Sequence, residues 1–316
     1  MTAFNVKAVA ALIGISPHTL RAWERRYHAI SPARNSSGRR SYTEQEIERL
    51  KLLAALTARG HSIGTIASET TAKLEKLLHG SPYASNETAP EGVIRPIVER
   101  LIAALRHYQI REVAYELEWA RASLGCRDLV LQVIAPLIAE VGRLVMNQEV
   151  SIAQEHALSS VIRDQIGQIL QLLQNHRPPL GANPTNKLLL TTPEGDLHEF
   201  GILLGAALCA NYGISAHYLG PNLPATALVD AANALQTNLI ILGNSPIPKE
   251  RRAEPLPRYL QTLDQGLNPR VKVWIGGQGE LPDLNKGYSL GRFHYLGSLK
   301  ELDERLKALG ISTTTK

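Results

Sequence analysis

Apolar positions along this chain follow three successive rhythms, and each implies a different architecture. In the first, Val6, Val9, Ala10 and Ile13 fall on one face of a helix over Asn5–Gly14. Gly14-Ile15-Ser16-Pro17 then reads as a tight turn, because Ser16 can cap the next helix and Pro17 suits its first position. That helix, Pro17–Tyr27, turns Leu20 inward with Trp23 or Tyr27 and points His18, Arg21 and Arg25 outward. Ser31 to Thr43 carries a Gly/Ser tip between extended basic arms and predicts a β-hairpin wing. Thr43 with Glu46 forms a capping box for a further helix, and Ser62 is placed to cap another after Gly60.

In the second rhythm the three-and-four spacing runs from Val93 to about His176 with only Pro96 and Pro136 inside it. Val98, Leu101, Ile102 and Leu105 form one stripe, and Ile162, Ile166, Ile169 and Leu170 another, predicting a four-helix bundle over 93–178. In the third rhythm short apolar runs alternate with helical stretches. Strands are expected from Lys187 to Thr192, Ile214 to Leu219, Leu239 to Leu242 and Val271 to Ile275, with helices at Glu199–Tyr212 and near 224–236 and 254–264. That alternation implies a parallel, doubly wound, Rossmann-like sheet over 186–316. Polar, turn-forming stretches at 80–92 and 177–185 read as linkers. The fold class is therefore multidomain α and α/β: a winged helix-turn-helix over 1–79, a helical bundle, and an α/β domain.

Composition supports such a chain without deciding its function: 44% of residues are hydrophobic, enough for each domain to bury a core. No apolar run reaches the roughly 18 residues of a membrane span, and Met1 to Lys7 lacks a signal-peptide pattern. Cys126 and Cys209 lie in different predicted domains and make no disulfide framework, so a reducing cytoplasm and no membrane partner are expected. The net charge of +5 is modest, but its placement is not. Between Arg21 and Arg59 basic residues outnumber acids, and Arg34 to Arg40 contains no acid. A basic head on a near-neutral body is the footprint of a nucleic-acid reader.

Helix, Gly-containing turn and basic helix make helix-turn-helix grammar. Arg21, Arg25 and Arg26 suit groove edges or phosphates, and Arg34, Arg39 and Arg40 of the wing suit phosphates or a minor groove. Trp23 stands open between core anchor and phosphate contact. Residues 5 to about 70 resemble the MerR family of regulators, through Thr19-Leu20-Arg21-Ala22-Trp23-Glu24-Arg25-Arg26-Tyr27, Pro32-Ala33-Arg34, Gly38-Arg39-Arg40-Ser41-Tyr42 and Gly60-His61-Ser62-Ile63. The resemblance implies a homo-oligomer, dimer or tetramer, on a pseudo-palindromic double-stranded operator, with Tyr42 added to the DNA-binding set.

In the body, the first strand leads into Asp196-Leu197-His198-Glu199-Phe200-Gly201. Ligands of doubly wound sheets sit outside the carboxyl ends of strands, which is where His198 falls. Asp196 can accept its ring N–H and make the other nitrogen a better metal donor, while Gly201 would let the following helix approach closely. Ser245 follows another strand, and Gly276-Gly277 a third, giving room for a flat or elongated group. Together, Asp196-x-His198-x-x-Gly201, Ser245-Pro246-Ile247 and Gly276-Gly277 resemble the cobalamin-binding domain of methionine synthase and mutases. That resemblance implies His198 as lower axial ligand to cobalt and a nucleotide-tail slot lined by Ser245 and the glycines.

The stretch from Gly142 to His156 is similar to the upper-face module of MerR-headed, cobalamin-dependent light sensors of the CarH/LitR type, which share all three segments in this order. Glu155 and His156 match that family's Glu-His pair near the upper ligand. Val145 stands where the family has Trp, and Met146 where a following His would be, which opens volume over a corrin. The expected cofactor is cobalamin, as adenosylcobalamin or another upper-ligand form, bound between bundle and sheet. The alternative is a body that binds another tetrapyrrole or none and serves in dimerisation or protein contacts. The function expected is a regulator, in the first place a repressor, responding to cobalamin and in this family to light. An enzyme is not expected, since no phosphate loop, Gly-x-Gly-x-x-Gly or nucleophile triad occurs.

Overall fold

A computed structural model describes residues 4–35, 38–58, 61–79, 91–175, 187–247 and 254–312. The chain forms two units, Met1–Asn175 and His176–Lys316. Of the expected linkers, 80–90 and all of 177–185 lie outside the described residues, as does Gly60, while Glu91 and Gly92, expected to end the first linker, instead open a helix.

The first unit opens with α1 (Val6–Ile13), where the Asn5 side chain accepts from Ala8 N–H and Gly14 closes the helix at φ 72°. Only glycine takes that left-handed turn without strain. Helix α2 (Pro17–Tyr27) starts as expected: the Ser16 hydroxyl accepts from Thr19 N–H at 3.1 Å and Pro17 occupies the first turn. Strands β1 (Ala33–Arg34) and β2 (Arg40–Ser41) pair antiparallel as the wing. The capping box of α3 (Glu44–Ala58) is formed: Thr43 N–H donates to Glu46 Oε2 at 2.8 Å, and Glu46 N–H to Thr43 Oγ1 at 3.2 Å. Ser62 precedes α4 (Ile63–Ile66) without capping it; its hydroxyl donates instead to the Ser123 carbonyl at 3.3 Å. Helix α5 is Thr71–His79.

Helices α6 (Glu91–Arg106), α7 (Ile110–Ser123), Cys126–Met146 and α10 (Ile152–Asn175) supply the four expected helices. The third is continuous but changes pitch: α8 (Cys126–Asp128), a π-helical stretch Leu129–Ile134, then α9 (Ala135–Met146). Ala135 N–H reaches back five residues to Val130, immediately before Pro136, which has no N–H to donate. Widening the turn there relieves the clash a proline ring makes with the preceding turn. This helix is as long and apolar as a membrane span, but Leu129, Val130, Val133, Ile134, Leu137 and Leu144 are buried in the unit. The head and these helices share a core: Ala122 of α7 belongs to the cluster of Val9, Leu20, Trp23, Leu50 and Leu53.

The second unit is a five-stranded parallel sheet in the order β4-β3-β5-β6-β7. Its strands are β3 (Lys187–Thr191), β4 (Ser215–Tyr218), β5 (Leu239–Gly243), β6 (Lys272–Gly276) and β7 (Phe293–Leu296), the last of them unforeseen. Helices α11 (Phe200–Asn211), α12 (Ala225–Ala234), α13 (Leu256–Gly266) and α14 (Leu299–Ser312) follow β3, β4, β5 and β7. Leu189, Leu228, Ile240, Leu260 and Val273 form its core. Strand order reverses between β3 and β5, so this sheet has its topological switch point where those two strands end.

Candidate functional site

The switch point is where Asp196, His198 and Ser245 meet. The loop after β3 is held by its own polar atoms: Thr192 Oγ1 donates to the Asp196 carbonyl at 2.5 Å and accepts from Asn222 N–H at 2.9 Å. Gly195, at φ 86°, turns the chain and donates its N–H to Asn222 Oδ1 at 2.7 Å. The turn delivers the Asp196 carboxylate to a fully buried position. Its Oδ1 accepts from His198 N–H at 3.0 Å and lies 2.9 Å from His198 Nδ1, while Oδ2 accepts from Ser245 N–H at 2.8 Å. One buried anion therefore ties the ends of β3 and β5 together with three donors.

The same bond fixes the chemistry of the imidazole. With Nδ1 donating to a carboxylate, the proton sits on Nδ1 and Nε2 keeps its lone pair. The His198 side chain is 66% exposed, and Nε2 has no protein partner among the described residues. An imidazole nitrogen is thus held at a sheet edge with no bond to any of the described residues. Among the described residues no group of three His, Cys, Asp or Glu side chains could hold a bare metal ion.

The glycines behave differently from expectation. A Cβ on Gly277 would lie 2.2 Å from the Asn244 carbonyl oxygen, and its φ is 121°. The absent side chain lets the loop after β6 press on the loop after β5, where Asn244 N–H donates to Gly276 O at 2.8 Å; it does not open a slot. A Cβ on Gly276 would come within 4 Å of Leu296 Cβ alone, at 3.9 Å. Around Gly201 nothing lies within 4 Å of a would-be Cβ, so it leaves space at the start of α11 rather than a close helix contact. Ser245 is half-buried.

In the first unit, Val145 is half-buried at the end of α9, and Met146 beside it is 85% exposed. Ile152, opening α10, is also exposed. Glu155 accepts from the Ser159 hydroxyl at 2.7 Å, and its other oxygen lies 3.5 Å from His156 Nε2. The pair is thus joined on the surface of α10.

In the head, His18, Arg21 and Arg25 form the exposed row of α2, and Arg34 and Arg39 are exposed on the wing. His18, Arg21, Arg25, Pro32, Arg34 and Arg40 line an open groove of about 440 Å³ between helix and wing. Two expected DNA residues turn inward. Trp23 is fully buried in the head core, which makes it an anchor rather than a phosphate contact. Tyr42 is equally buried, and its hydroxyl donates to Glu24. Burial and that carboxylate push its phenol well above the usual range. Arg40 pairs with the other Glu24 oxygen. Glu24, overlooked in the motif it belongs to, is the post on which helix and wing are braced. Arg26 lies against α7, its guanidinium carbon 4.6 Å from the Trp119 ring centre.

Two sequence families match: "MerR HTH family regulatory protein" over residues 4–72 and "B12 binding domain" over 97–169. The repressor CarH of Myxococcus xanthus is 31% identical over 281 residues, 87% of this chain and 88% of that protein. The repressor CarA of the same organism is 27% identical over 299 residues, 94% of each chain. The monomethylamine corrinoid protein of Methanosarcina barkeri has the same fold, with a TM-score of 0.50 at 14% identity over 68% of this chain and 99% of that one. This chain belongs to the MerR-headed transcriptional regulators with a B12-binding domain, the family of CarH.

Proposed function

We propose that this protein represses transcription by binding double-stranded operator DNA through its winged head, and that it senses cobalamin through His198. The observation that carries the sensing half is the buried Asp196 carboxylate, which sets the His198 tautomer and leaves Nε2 as a lone donor at the switch point. Bound cobalamin supplies a cobalt centre whose upper ligand can be exchanged or, in some forms, lost to light. His198 would hold the cobalt through Nε2. Ser245 and the loops joined at Gly276 and Gly277 border the nucleotide tail. Val145, Glu155 and His156 cover the upper ligand, as the family resemblance assigns them. The exposed Met146 and Ile152 are apolar surface whose cover changes with the ligand, and with it the homo-oligomer, dimer or tetramer, that grips DNA. Arg21, Arg25, Arg34 and Arg39 make the direct DNA contacts, with Arg40 braced behind them. The protein acts in the cytoplasm and is not an enzyme.

The test loads the purified chain with adenosyl-, methyl- or hydroxocobalamin and follows absorbance and operator binding in the dark and after light. The expected result is a retained red form whose DNA affinity changes when the upper ligand is lost, and loss of both effects in His198→Ala. If no form is retained and His198→Ala regulates normally, the body is a contact module without cobalamin.

A further inference from the structure

The recognition helix is not held by the head alone. Along one side of α2 runs α7. The Glu118 carboxylate accepts from Ser16 N–H at 3.0 Å, at the very start of α2. At its other end, Tyr27 stacks on Trp119 with ring centres 6.5 Å apart and planes 13° from parallel, and Arg26 sits over the same indole. Ala122 completes the head core, and Ser62 Oγ donates to the Ser123 carbonyl.

Two of these contacts, Glu118 on Ser16 N–H and Arg26 over Trp119, bear on groups that DNA would use. Arg26 leaves α2 about 100° round from Arg25. A recognition helix lying in a major groove turns that flank toward the phosphate walls. The N–H groups at a helix start, with the positive end of its dipole, are a ready place for a phosphate. Here a carboxylate occupies it, as a phosphate oxygen would. Tyr115 of the same α7 also stacks on His18 of the reading row, ring centres 6.1 Å apart, while Arg21 and Arg25 stay exposed.

The contact is also built to release. Trp119 is 2% exposed, yet among the described residues its Nε1–H has no partner, so docking leaves a buried donor unsatisfied there. The bonds of Ser16 to Glu118 and of Ser62 to Ser123 are polar and are replaced by water when the helices part, whereas the packing of Ala122 and Trp119 is what undocking must break.

We propose that α7 is a brake on the DNA-binding head. Docked, it holds the exposed Arg26 guanidinium on the Trp119 ring and fills the start of α2 with a carboxylate; undocked, it frees both for DNA phosphates. The brake lies within residues 97–169, the stretch that matches the B12 binding domain, so movement of that segment changes DNA affinity while Arg21 and Arg25 stay exposed throughout. This rests on the DNA-reading role of the head given above.

The experiment measures binding of the full chain to a fluorescently labelled mixed-sequence duplex over a series of salt concentrations. Trp119→Leu is expected to bind more tightly, with a log–log salt slope steeper by about 0.9, the release expected for one extra phosphate contact. Arg26→Gln should take that increment away in the Trp119→Leu background and shift the slope by less than half as much in the otherwise native chain. Equal shifts in both backgrounds, or an unchanged slope in Trp119→Leu, overturn the brake. Should Trp119→Leu fail to fold, the nearly isosteric Glu118→Gln decides: it turns a charge-assisted bond into a neutral one and should tighten binding, whereas unchanged or weaker binding refutes the proposal. Arg25→Gln separates the two readings, since a chain whose DNA affinity ignores that change is not read by this head at all.

Discussion

Replacing Asp196 with Asn tests the site at its hinge. The carboxylate serves three donors: His198 N–H and Nδ1–H on Oδ1, and Ser245 N–H on Oδ2. An Asn carboxamide keeps one acceptor oxygen and turns the other into a donor. Facing two donors with the new NH2 is worse than facing one, so the amide settles with its nitrogen toward Ser245. One charge-assisted bond is then lost and two donors oppose each other in a fully buried place. A lost bond of that kind costs about 1.5–3 kcal/mol. The bond from Nδ1 survives in neutral, weaker form, so His198 becomes a poorer metal donor, and losses of roughly 10–100-fold in cobalamin affinity are expected from such supporting groups. Urea denaturation of the ligand-free chain reads the first quantity, and an absorbance titration with hydroxocobalamin the second. His198→Ala is the companion: its ring is two-thirds exposed, so it should lose cobalamin while barely changing stability. If Asp196→Asn matches the native chain in both measurements, the buried carboxylate neither supports the loop nor tunes the imidazole, and the argument for His198 falls with it.

Other consequences are direct. Gly277→Ala must displace the Asn244 carbonyl and hold a φ of 121°, so the second unit should lose about 1–3 kcal/mol, read by thermal denaturation; an unchanged midpoint would mean the loops do not pack as described. Glu24→Ala leaves the Tyr42 hydroxyl and Arg40 without their acceptor and should cost about 2–4 kcal/mol while loosening the wing, seen as lower stability together with weaker DNA binding; loss of neither would remove Glu24 as the brace. The buried Cys209 thiol is pushed up to about 12 by burial. A raised pKa stabilises the fold below the unfolded thiol's own range, and that contribution is lost as pH climbs toward the folded value. Stability should therefore fall by about 1.4 kcal/mol per pH unit above about pH 9, with the thiol unreactive until the chain unfolds. A Cys209→Ala chain with the same alkaline slope would refute the assignment.

Much of this was legible from residue order. Caps at Ser16 and Thr43 and the three-and-four spacing located the helices of the head, because those signals are local. The Asp196–His198 pair was visible for the same reason, lying two residues apart at the end of a strand. Strand β7 was not: Phe293–Leu296 is four residues long and carries His294 in its middle. Glycine roles at 201 and 277 were also misplaced, since whether a missing side chain faces a ligand, a neighbour or open space depends on what folds against it. Trp23 and Tyr42 sit among arginines in a DNA-reading motif, yet both complete the core beneath it. The docking of α2 on α7 joins residues 102 positions apart, and no periodicity in either helix announces it.

The central claim is that the His198 imidazole is the nitrogen bound to cobalt, and spin resonance on the reduced, one-unpaired-electron form of bound cobalamin addresses it most directly. The chain is prepared with histidine carrying the heavy, spin-one-half nitrogen isotope and loaded with unlabelled cofactor. A protein imidazole on the cobalt turns the three-line nitrogen splitting into two lines, and His198→Ala abolishes that pattern. A three-line pattern that survives the labelling, coming from the cofactor's own base, would contradict the account.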